Sequence, residues 1–429
     1  MSNGLPVWIV ELHKVPVVDV TLAVKGGSGA DPTHKFGLAN LTAEMLDEGA
    51  GGRDALQIAD AVDYLGANLS TASTSDASFV EVHVPVARLG DALPIMADVA
   101  LRPTFPAQEL RRVREELLTS ILQAQDDPAS LIQFAFPRLV FGPQHRYGTR
   151  SFGTEASLKG FTIADLRQFH ARNYVPSNAT LIVTGDVEPA SVVARLESAF
   201  GSWTGAPAPP GQVPTAPQRT SRQIYLIDKP GTAQSQIRIG WVGVPRSTPD
   251  YFALRVLNTV LGGAFTSRLN LNLREEHGYS YGASSSFDMR GSAGPFYAAA
   301  GVQTDKTAEA LTEFFKELEA IRRPIPPDEL DKAKNYVALQ LPRNFETTQS
   351  LAGSLAQMFV FNLPPDYYGT FTGRIRALTA ADVQRAAERY IQPDKFAVVI
   401  VGDLEVIEPG IKALNLGPIT TVTIDEVMK

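Results

Sequence analysis

The chain has 429 residues, of which 44% are hydrophobic and 20% are charged, a composition typical of a globular protein long enough for several domains. Its formal net charge of −7 is mild and argues against a nucleic-acid-binding protein, because such a protein needs a basic surface. The absence of cysteine from the sequence excludes disulfides, thiolate metal sites and a cysteine nucleophile.

The first half of the chain opens with short strands and a helix. Residues 2–10 contain no charged leader before an apolar stretch and instead predict a turn and a strand. Apolar alternation predicts strands at 7–10 and 17–24, and apolar residues at helical spacing predict a helix at 37–46. No apolar run reaches the roughly 18 residues of a membrane helix. We therefore expect a soluble protein of the bacterial cytoplasm or periplasm with no membrane span, and no targeting segment is visible in this sequence.

A proline-rich segment divides the chain. Residues 201–222 contain five prolines and no apolar periodicity, which is typical of an extended linker. At roughly 3 Å per residue, such a segment could span a distance on the order of 60 Å. We therefore predict one domain at 1–200 and a second domain at 223–429.

The two predicted domains look like copies of one another. The second also opens with strands, at 224–227 and 237–242, followed by a helix at 251–261. Near the end of each domain, a threonine precedes a helix, and a turn containing proline then leads to a short apolar strand ending in Gly-Asp. Three pairs of residues in these blocks lie 216 or 217 positions apart, namely Thr162 and Thr379, Tyr174 and Tyr390, and Gly185 and Gly402.

A further pair of helices supports an internal duplication, because Glu109 and Glu329 occupy similar helices and lie 220 positions apart. Any two helix-turn-strand units share some pattern, but they would not keep a near-constant separation over several features. Each copy has strands first and helices afterwards. This order predicts an α+β fold of two homologous αβ sandwich domains, each a mainly antiparallel sheet with helices packed on one face.

The predicted helix at 37–46 reads GLANLTAEML, which resembles the start of the pitrilysin/insulinase family of metallopeptidases, a family that includes mitochondrial processing peptidase. In that family the segment looks like GLAHLLEHML, and its H-x-x-E-H motif binds zinc. Two histidines at i and i+4 share one helix face and reach one ion, and the glutamate takes a proton from the zinc-bound water. The resemblance extends along the chain, through segments at 66–79, 125–128 and 173–187 and through the duplicated second half.

The family's zinc ligands and general base are missing from the matching positions of this sequence. Asn40 stands at the first histidine, Ala43 at the general-base glutamate and Glu44 at the second histidine. Counting back from the Asp-Asp-Pro segment at 126–128, Ser120 stands at the distal glutamate ligand. Asparagine and serine are poor zinc ligands, alanine cannot accept a proton, and a single carboxylate does not hold catalytic zinc. The resemblance therefore implies no metal and no cofactor in this chain.

Residues 261–283 read LGGAFTSRLNLNLREEHGYSYGA, which is similar to a second segment of the family. There an Arg and a Tyr seven positions apart project into the cleft and meet the peptide bound at the other domain's zinc; the matching residues are Arg274 and Tyr281. The resemblance implies that Tyr281 stabilises the negative charge on the scissile carbonyl oxygen and that Arg274 grips a substrate carbonyl or carboxylate. Without the resemblance, an Arg beside Glu275 is usually a solvated helix end, and a strand Tyr is usually core.

Two further features bear on peptide binding. An aromatic residue often found four positions before the Arg is Asn270 here, which puts the family's apolar substrate pocket in doubt. The segment at 69–79 resembles the family's substrate-binding edge strand, to which an extended peptide could add through backbone hydrogen bonds. An ordinary sheet edge explains the same pattern equally well.

The resemblance predicts a non-catalytic complementary subunit of a heterodimeric zinc peptidase. In family heterodimers of this kind, one protein carries H-x-x-E-H and zinc, the other carries the Arg/Tyr pair, and the two close around an unfolded peptide. This chain would contribute Arg274 and Tyr281 to the zinc site of a homologous H-x-x-E-H-bearing partner. Peptidase activity is expected only in the presence of that partner.

Two other functions stay open. A non-enzymatic scaffold, like the core proteins of the respiratory cytochrome bc1 complex, shares the fold and a degraded zinc site but needs neither Arg274 nor Tyr281. An independent hydrolase would need a rebuilt metal site, yet no two of the six histidines lie at i, i+3 or i+4. The retained Arg and Tyr therefore favour the complementary subunit.

Overall fold

The computed structural model describes residues 1–207 and 213–429, so part of the predicted linker at 201–222 lies outside the described residues. The strands are β1 (Val7–Glu11), β2 (Val17–Val24), β3 (Gly49–Ala50), β4 (Arg53–Asp54), β5 (Asn68–Ser73), β6 (Ser78–Pro85), β7 (Ala179–Gly185), β8 (Gln223–Asp228), β9 (Gln234–Val242), β10 (Ser280–Phe287), β11 (Pro295–Gln303), β12 (Ala397–Gly402) and β13 (Ile419–Thr421). The helices are α1 (Leu38–Glu44), α2 (Ala55–Tyr64), α3 (Leu89–Leu101), α4 (Ala107–Asp126), α5 (Pro128–Phe141), α6 (Glu155–Gly160), α7 (Ile163–Asn173), α8 (Pro189–Phe200), α9 (Tyr251–Asn258), α10 (Arg268–Asn270), α11 (Thr307–Ala320), α12 (Pro327–Gln340), α13 (Thr348–Val360), α14 (Tyr367–Ala377), α15 (Ala380–Tyr390), α16 (Leu404–Ala413) and α17 (Ile424–Met428). A π-helical turn follows α9 at Thr259–Gly263, and another follows α10 at Leu271–Glu276.

The chain packs into two compact units, each assembled from three segments of sequence. The first unit comprises Met1–Thr119, Ser151–Val213 and Pro342–Tyr367, and the second comprises Ser120–Arg150, Pro214–Leu341 and Tyr368–Lys429. This division differs from the predicted ranges 1–200 and 223–429 by two exchanged segments. Helix α5 belongs to the second unit because it packs on β9 and β12, and α13 belongs to the first because it packs on β2 and β7.

Each unit contains one large mixed β-sheet. The strand order is β1-β7-β2-β6-β5 in the first unit and β10-β11-β9-β12-β8-β13 in the second, and the first unit also contains the short β3–β4 pair. Strand β1 runs parallel to β7, and β8 runs parallel to β12, whereas β2 pairs antiparallel with β6 and β9 pairs antiparallel with β11. The order β8-β12-β9-β11-β10 repeats the order β1-β7-β2-β6-β5, which confirms the predicted duplication and the α+β class.

Helices α7 and α15 begin with the same capping box, which is the structural counterpart of the repeated threonine. The Thr162 hydroxyl accepts a hydrogen bond from the Asp165 backbone N–H, and the Asp165 carboxylate accepts one from the Thr162 N–H at 2.9 Å. Thr379 and Asp382 make the same two bonds at the start of α15. These bonds satisfy N–H groups that the first helical turn leaves without a partner.

The two faces of the first sheet have different surroundings. Val18, Val20 and Leu22 of β2 are fully buried and share the face that meets the main helical layer. On the opposite face, Ile182 of β7 packs against Ala352 of α13. The prediction of helices on one face therefore describes the main layer and omits helix α13 on the other face.

Candidate functional site

Helix α1, which carries the positions of the family's zinc motif, is short and firmly anchored. Asp31 accepts hydrogen bonds from the backbone N–H groups of Gly37 at 2.7 Å and Ala39 at 2.8 Å. Gly37 has a φ of +105°, and a Cβ placed on it would lie 2.4 Å from the Phe152 carbonyl oxygen. Only glycine fits this approach. The helix packs against the edge strand β5, so the motif positions lie beside the predicted substrate-binding strand.

The side chains at the motif positions lack the donors of a zinc site. Ala43 is fully buried, and Asn40 makes a side-chain hydrogen bond to Glu44 one turn along the helix. Desolvation by the surrounding protein raises the pKa of Glu44, and the bond from Asn40 opposes this shift. Ser120 lies on the exposed side of α4. Over the described parts of the chain, no group of three or more His, Cys, Asp or Glu side chains is placed to hold a metal ion.

An arginine of α4 lies among three carboxylates, one that follows α1 and two on α4 itself. Arg112 of α4 pairs with Glu48, and its guanidinium also lies 2.8 Å from Glu109 and 2.9 Å from Glu116. Hydrogen bonds to Glu48 first, and to Glu109 next, raise the pKa of Arg112 above its already high ordinary value. The positive charge of Arg112 therefore compensates the carboxylates beside α1, the helix that carries the zinc-motif positions. The glutamates at positions i−3 and i+4 from Arg112 are the sequence signal of this cluster.

Asp47, at the end of the α1 segment, is held in an unfavourable environment. Burial raises the pKa of its carboxyl from 3.8 to about 6, and the neighbouring charges of Glu48 and Glu44 add to the shift. The folded state therefore keeps its proton to a higher pH than the unfolded state does. Stability is lost as the pH rises through the window between these two values, and the ionised carboxylate destabilises the fold above it.

Asp47→Asn is expected to stabilise the protein at neutral pH, because the amide removes the buried charge and retains the hydrogen-bonding shape. We expect a gain of about 1–2 kcal/mol in the free energy of unfolding near pH 7, shrinking toward zero near pH 4. Urea unfolding at both pH values measures it. A gain of equal size at both pH values would show that the charge of Asp47 is not the cause.

Arg274 lies in the second unit, in the π-helical turn Leu271–Glu276, a distortion of a kind often found at functional sites. Its side chain is 38% exposed, its Nε lies 3.3 Å from Glu275, and its guanidinium lies 4.7 Å from the centre of the Phe265 ring. Neither contact buries the guanidinium. Arg274 therefore retains donors that a ligand can use.

Tyr281 lies on the edge strand β10 of the second unit and is 89% exposed. The pairing of β10 with β11 is irregular between Ser280 and Ala283, so the strand bulges at Tyr281. Gly278, with a φ of +65°, ends the preceding turn by bonding to the Arg274 carbonyl. One tight turn therefore connects the two predicted site residues.

Asn270, which departs from the family pattern, has a structural role. It is buried, its side-chain N–H donates a 2.6 Å bond to the Phe265 carbonyl, and its oxygen accepts a 3.1 Å bond from the Ala283 backbone N–H. It thus links the loop that carries Phe265 to the bulged edge strand. Phe265 is 61% exposed and stacks with Arg274. A lone aromatic residue in a loop follows no periodicity, so the sequence does not predict this contact.

Comparison with known proteins places these features in context. The model of the family "Insulinase (Peptidase family M16)" matches residues 7–139, and the model of "Peptidase M16 inactive domain" matches residues 160–337. An uncharacterized zinc protease of Mycobacterium bovis is 27% identical over 329 residues, covering 75% of this chain and 74% of that protein. A similar protein of Streptomyces coelicolor, also described as an uncharacterized zinc protease, is 24% identical over 412 residues, covering 94% and 89%.

Solved structures share the whole fold. The crystal structure of a peptidase M16 inactive domain from Pseudomonas fluorescens superposes with a TM-score of 0.86 and 27% identity, covering 94% of this chain and 96% of that one.

Among the helices of residues 1–207 and 213–429, none combines the length and the apolar character that a membrane span requires.

Proposed function

Because this chain belongs to the insulinase family, peptidase family M16, we propose that it is the non-catalytic complementary subunit of a heterodimeric zinc peptidase. Its partner is a homologous protein that carries an intact H-x-x-E-H motif and the zinc ion. The substrate is an unfolded peptide.

The side chains of α1 support the proposal that this chain does not itself catalyse peptide hydrolysis. Peptide hydrolysis on zinc needs a ligand set and a general base close to the attacking water. Asn40, Ala43 and Glu44 supply one amide, one methyl group and one carboxylate, and Arg112 already compensates the acidic groups nearby. A second cation at this position would meet the positive charge of Arg112 and would find too few donors.

The observation that carries the proposal is the exposure of Tyr281 together with the accessible guanidinium of Arg274. Large aromatic side chains are normally buried in a core or used at an interface. An 89% exposed tyrosine on a bulged edge strand stabilises little within its own unit. Its hydroxyl is free to donate to a carbonyl oxygen that gains negative charge in the transition state, and Arg274 can hold a neighbouring substrate carbonyl.

The edge strand β5 supplies the remaining part of the proposed substrate path. Its unpaired backbone groups face away from β6, so an extended peptide can add to the sheet as one more strand. Such pairing depends on backbone hydrogen bonds, so it tolerates peptides of many sequences. It therefore suits a subunit that helps to hold unfolded substrates of varied sequence.

A mixing assay tests this proposal. The chain and the homologous H-x-x-E-H-bearing protein of the same organism are purified separately, and cleavage of a quenched fluorescent peptide is measured for each alone and for an equimolar mixture. We expect the mixture to be at least about 100-fold more active than the sum of its parts, as removal of oxyanion-type stabilisation implies. A complex that forms without any gain in activity would instead support the scaffold.

A further inference from the structure

The bulge that carries Tyr281 is only partly held by the β-sheet. Ser280 and Ala283 of β10 keep partners on β11, but the two residues between them, Tyr281 and Gly282, lie opposite the single residue Gly301. An extra residue in one strand interrupts the regular ladder of backbone hydrogen bonds. Groups outside the ladder therefore decide where the backbone of Tyr281 lies.

The position of the Tyr281 hydroxyl depends on this backbone. The side chain is 89% exposed, so packing within its own unit does little to restrain the ring. A hydroxyl at the end of a phenol ring follows each shift of the Cα atom that carries it. A donor stabilises a developing oxyanion when it lies about 2.7–3.1 Å from the oxygen. A small displacement of the bulge is therefore enough to remove the contact that we propose for Tyr281.

Two side chains hold the bulge from outside the ladder. The Ser280 hydroxyl accepts a 3.0 Å hydrogen bond from the Gly282 N–H and donates a 2.7 Å bond to the Gly282 carbonyl oxygen, but both bonds are exposed and water competes with them. Asn270 of α10 is the second, and its Oδ1 accepts a 3.1 Å bond from the Ala283 N–H. This bond is shielded from water, because Asn270 is 5% exposed and Ala283 is 7% exposed.

The other half of the Asn270 amide fixes the direction of its oxygen. Its Nδ2 donates a 2.6 Å hydrogen bond to the Phe265 carbonyl oxygen. The reversed amide would place one N–H donor against another at Ala283 and two oxygens together at Phe265, so only one orientation satisfies both partners. A carboxylate lacks the donor, and a phenylalanine ring could form neither bond. Asparagine is therefore matched to this position.

We propose that Asn270 is a positioning residue, whose hydrogen bond to Ala283 holds the bulge so that the Tyr281 hydroxyl reaches the substrate carbonyl oxygen. Its Oδ1 lies beside the bulge, 3.7 Å from the place that a Cβ on Gly282 would take. Because Asn270 is buried, it acts through Tyr281 and not by contact with the substrate. The inference rests on the function proposed above for Tyr281.

Amide hydrogen exchange of the purified chain tests the structural part of this inference without a peptidase partner. In Asn270→Leu the Ala283 N–H loses its acceptor, and its exchange should accelerate at least about tenfold. The matched control is Asn258→Leu, which removes another asparagine bound to β10, through a 2.9 Å bond from the Ser285 hydroxyl. Ala283 should stay protected in this control. Unchanged protection of Ala283 in Asn270→Leu would overturn the inference.

The kinetics of the mixed subunits test the functional part. Asn270→Leu should lower kcat about tenfold or more and change KM by less than about twofold, because a displaced hydroxyl affects the transition state more than the bound substrate. Asn258→Leu should keep kcat within about twofold of the unchanged pair. Thermal unfolding checks that each variant folds, and Asn270→Ala replaces Asn270→Leu if the larger side chain prevents folding.

A double variant shows whether Asn270 acts through Tyr281. When Asn270→Leu is added to Tyr281→Phe, kcat should fall by less than about a further twofold, because the hydroxyl that Asn270 positions is already absent. An equal loss in both backgrounds, or a kcat for Asn270→Leu as high as that of Asn258→Leu, would overturn the inference and leave the proposed function intact. An inactive mixture of the unchanged proteins would refute the function, and the positioning role of Asn270 with it.

Discussion

Arg274→Ala is expected to lower kcat/KM of the mixed subunits by about 100- to 1,000-fold while the heterodimer still assembles. The guanidinium offers several donors in one plane, and alanine leaves the substrate group that it holds without a partner. Because Arg274 is only loosely tied to Glu275 and Phe265 in its own unit, its removal should leave folding nearly unchanged. Steady-state cleavage of the fluorescent peptide, with assembly followed by size-exclusion chromatography, measures both effects.

The matched control is Arg389→Ala. Arg389 is also exposed, in the same unit, and its surface pair with Asp250 at 3.4 Å contributes little. Activity within about twofold of the unchanged pair is expected for this control. If Arg274→Ala were as active as Arg389→Ala, Arg274 would have no role in substrate binding.

Tyr281→Phe is expected to lower kcat of the mixed subunits by about 100-fold and to change KM little. The substitution removes one hydroxyl and retains the ring. The interaction that is lost is the hydrogen bond from this hydroxyl to the substrate carbonyl oxygen, which strengthens in the transition state. The exposed position on β10 means that no buried contact depends on the hydroxyl. Initial rates over a range of peptide concentrations separate kcat from KM.

Tyr336→Phe provides the comparison, since Tyr336 is also a partly exposed tyrosine of the second unit, at 40%. It should leave kcat unchanged. A loss in KM alone for Tyr281→Phe would assign Tyr281 to ground-state binding and would remove the role in transition-state stabilisation.

The sequence indicated the main architecture because that architecture rests on local patterns. Apolar alternation located β1 and β2, and the threonine N-caps at Thr162 and Thr379 marked two equivalent helices. A constant separation between repeated features then implied two similar sheets. The structure confirms the two strands, the two equivalent helices and the two similar sheets, since the strand orders of the two units repeat.

The exchange of α5 and α13 between the units could not be predicted in the same way. Each helix has ordinary helical periodicity, and nothing in a periodicity says which of two similar sheets it will cover. Helix α13 is placed by contacts such as Thr184 with Thr348, between residues far apart in sequence. Long-range packing of this kind, and not position along the chain, decides which unit a segment joins.

The candidate sites show the same distinction between features set by local sequence and features set by long-range packing. Motif matching located Asn40, Arg274 and Tyr281, because it depends only on spacing. It does not predict the pairing of Arg112 with Glu48, because this pair forms only when elements distant in sequence meet in the fold. The sequence indicates only that Asn270 replaces an aromatic residue; its hydrogen bonds to Phe265 and Ala283, which give it a structural role, depend on the fold.

The arm of the mixing assay that contains this chain alone tests the central claim most directly. The purified protein is incubated with zinc, and cleavage of the fluorescent peptide is followed with and without a chelator. Because α1 presents Asn40, Ala43 and Glu44 in place of the ligands and the base, we predict no hydrolysis that the chelator can suppress. Chelator-sensitive turnover by the chain alone would contradict the account.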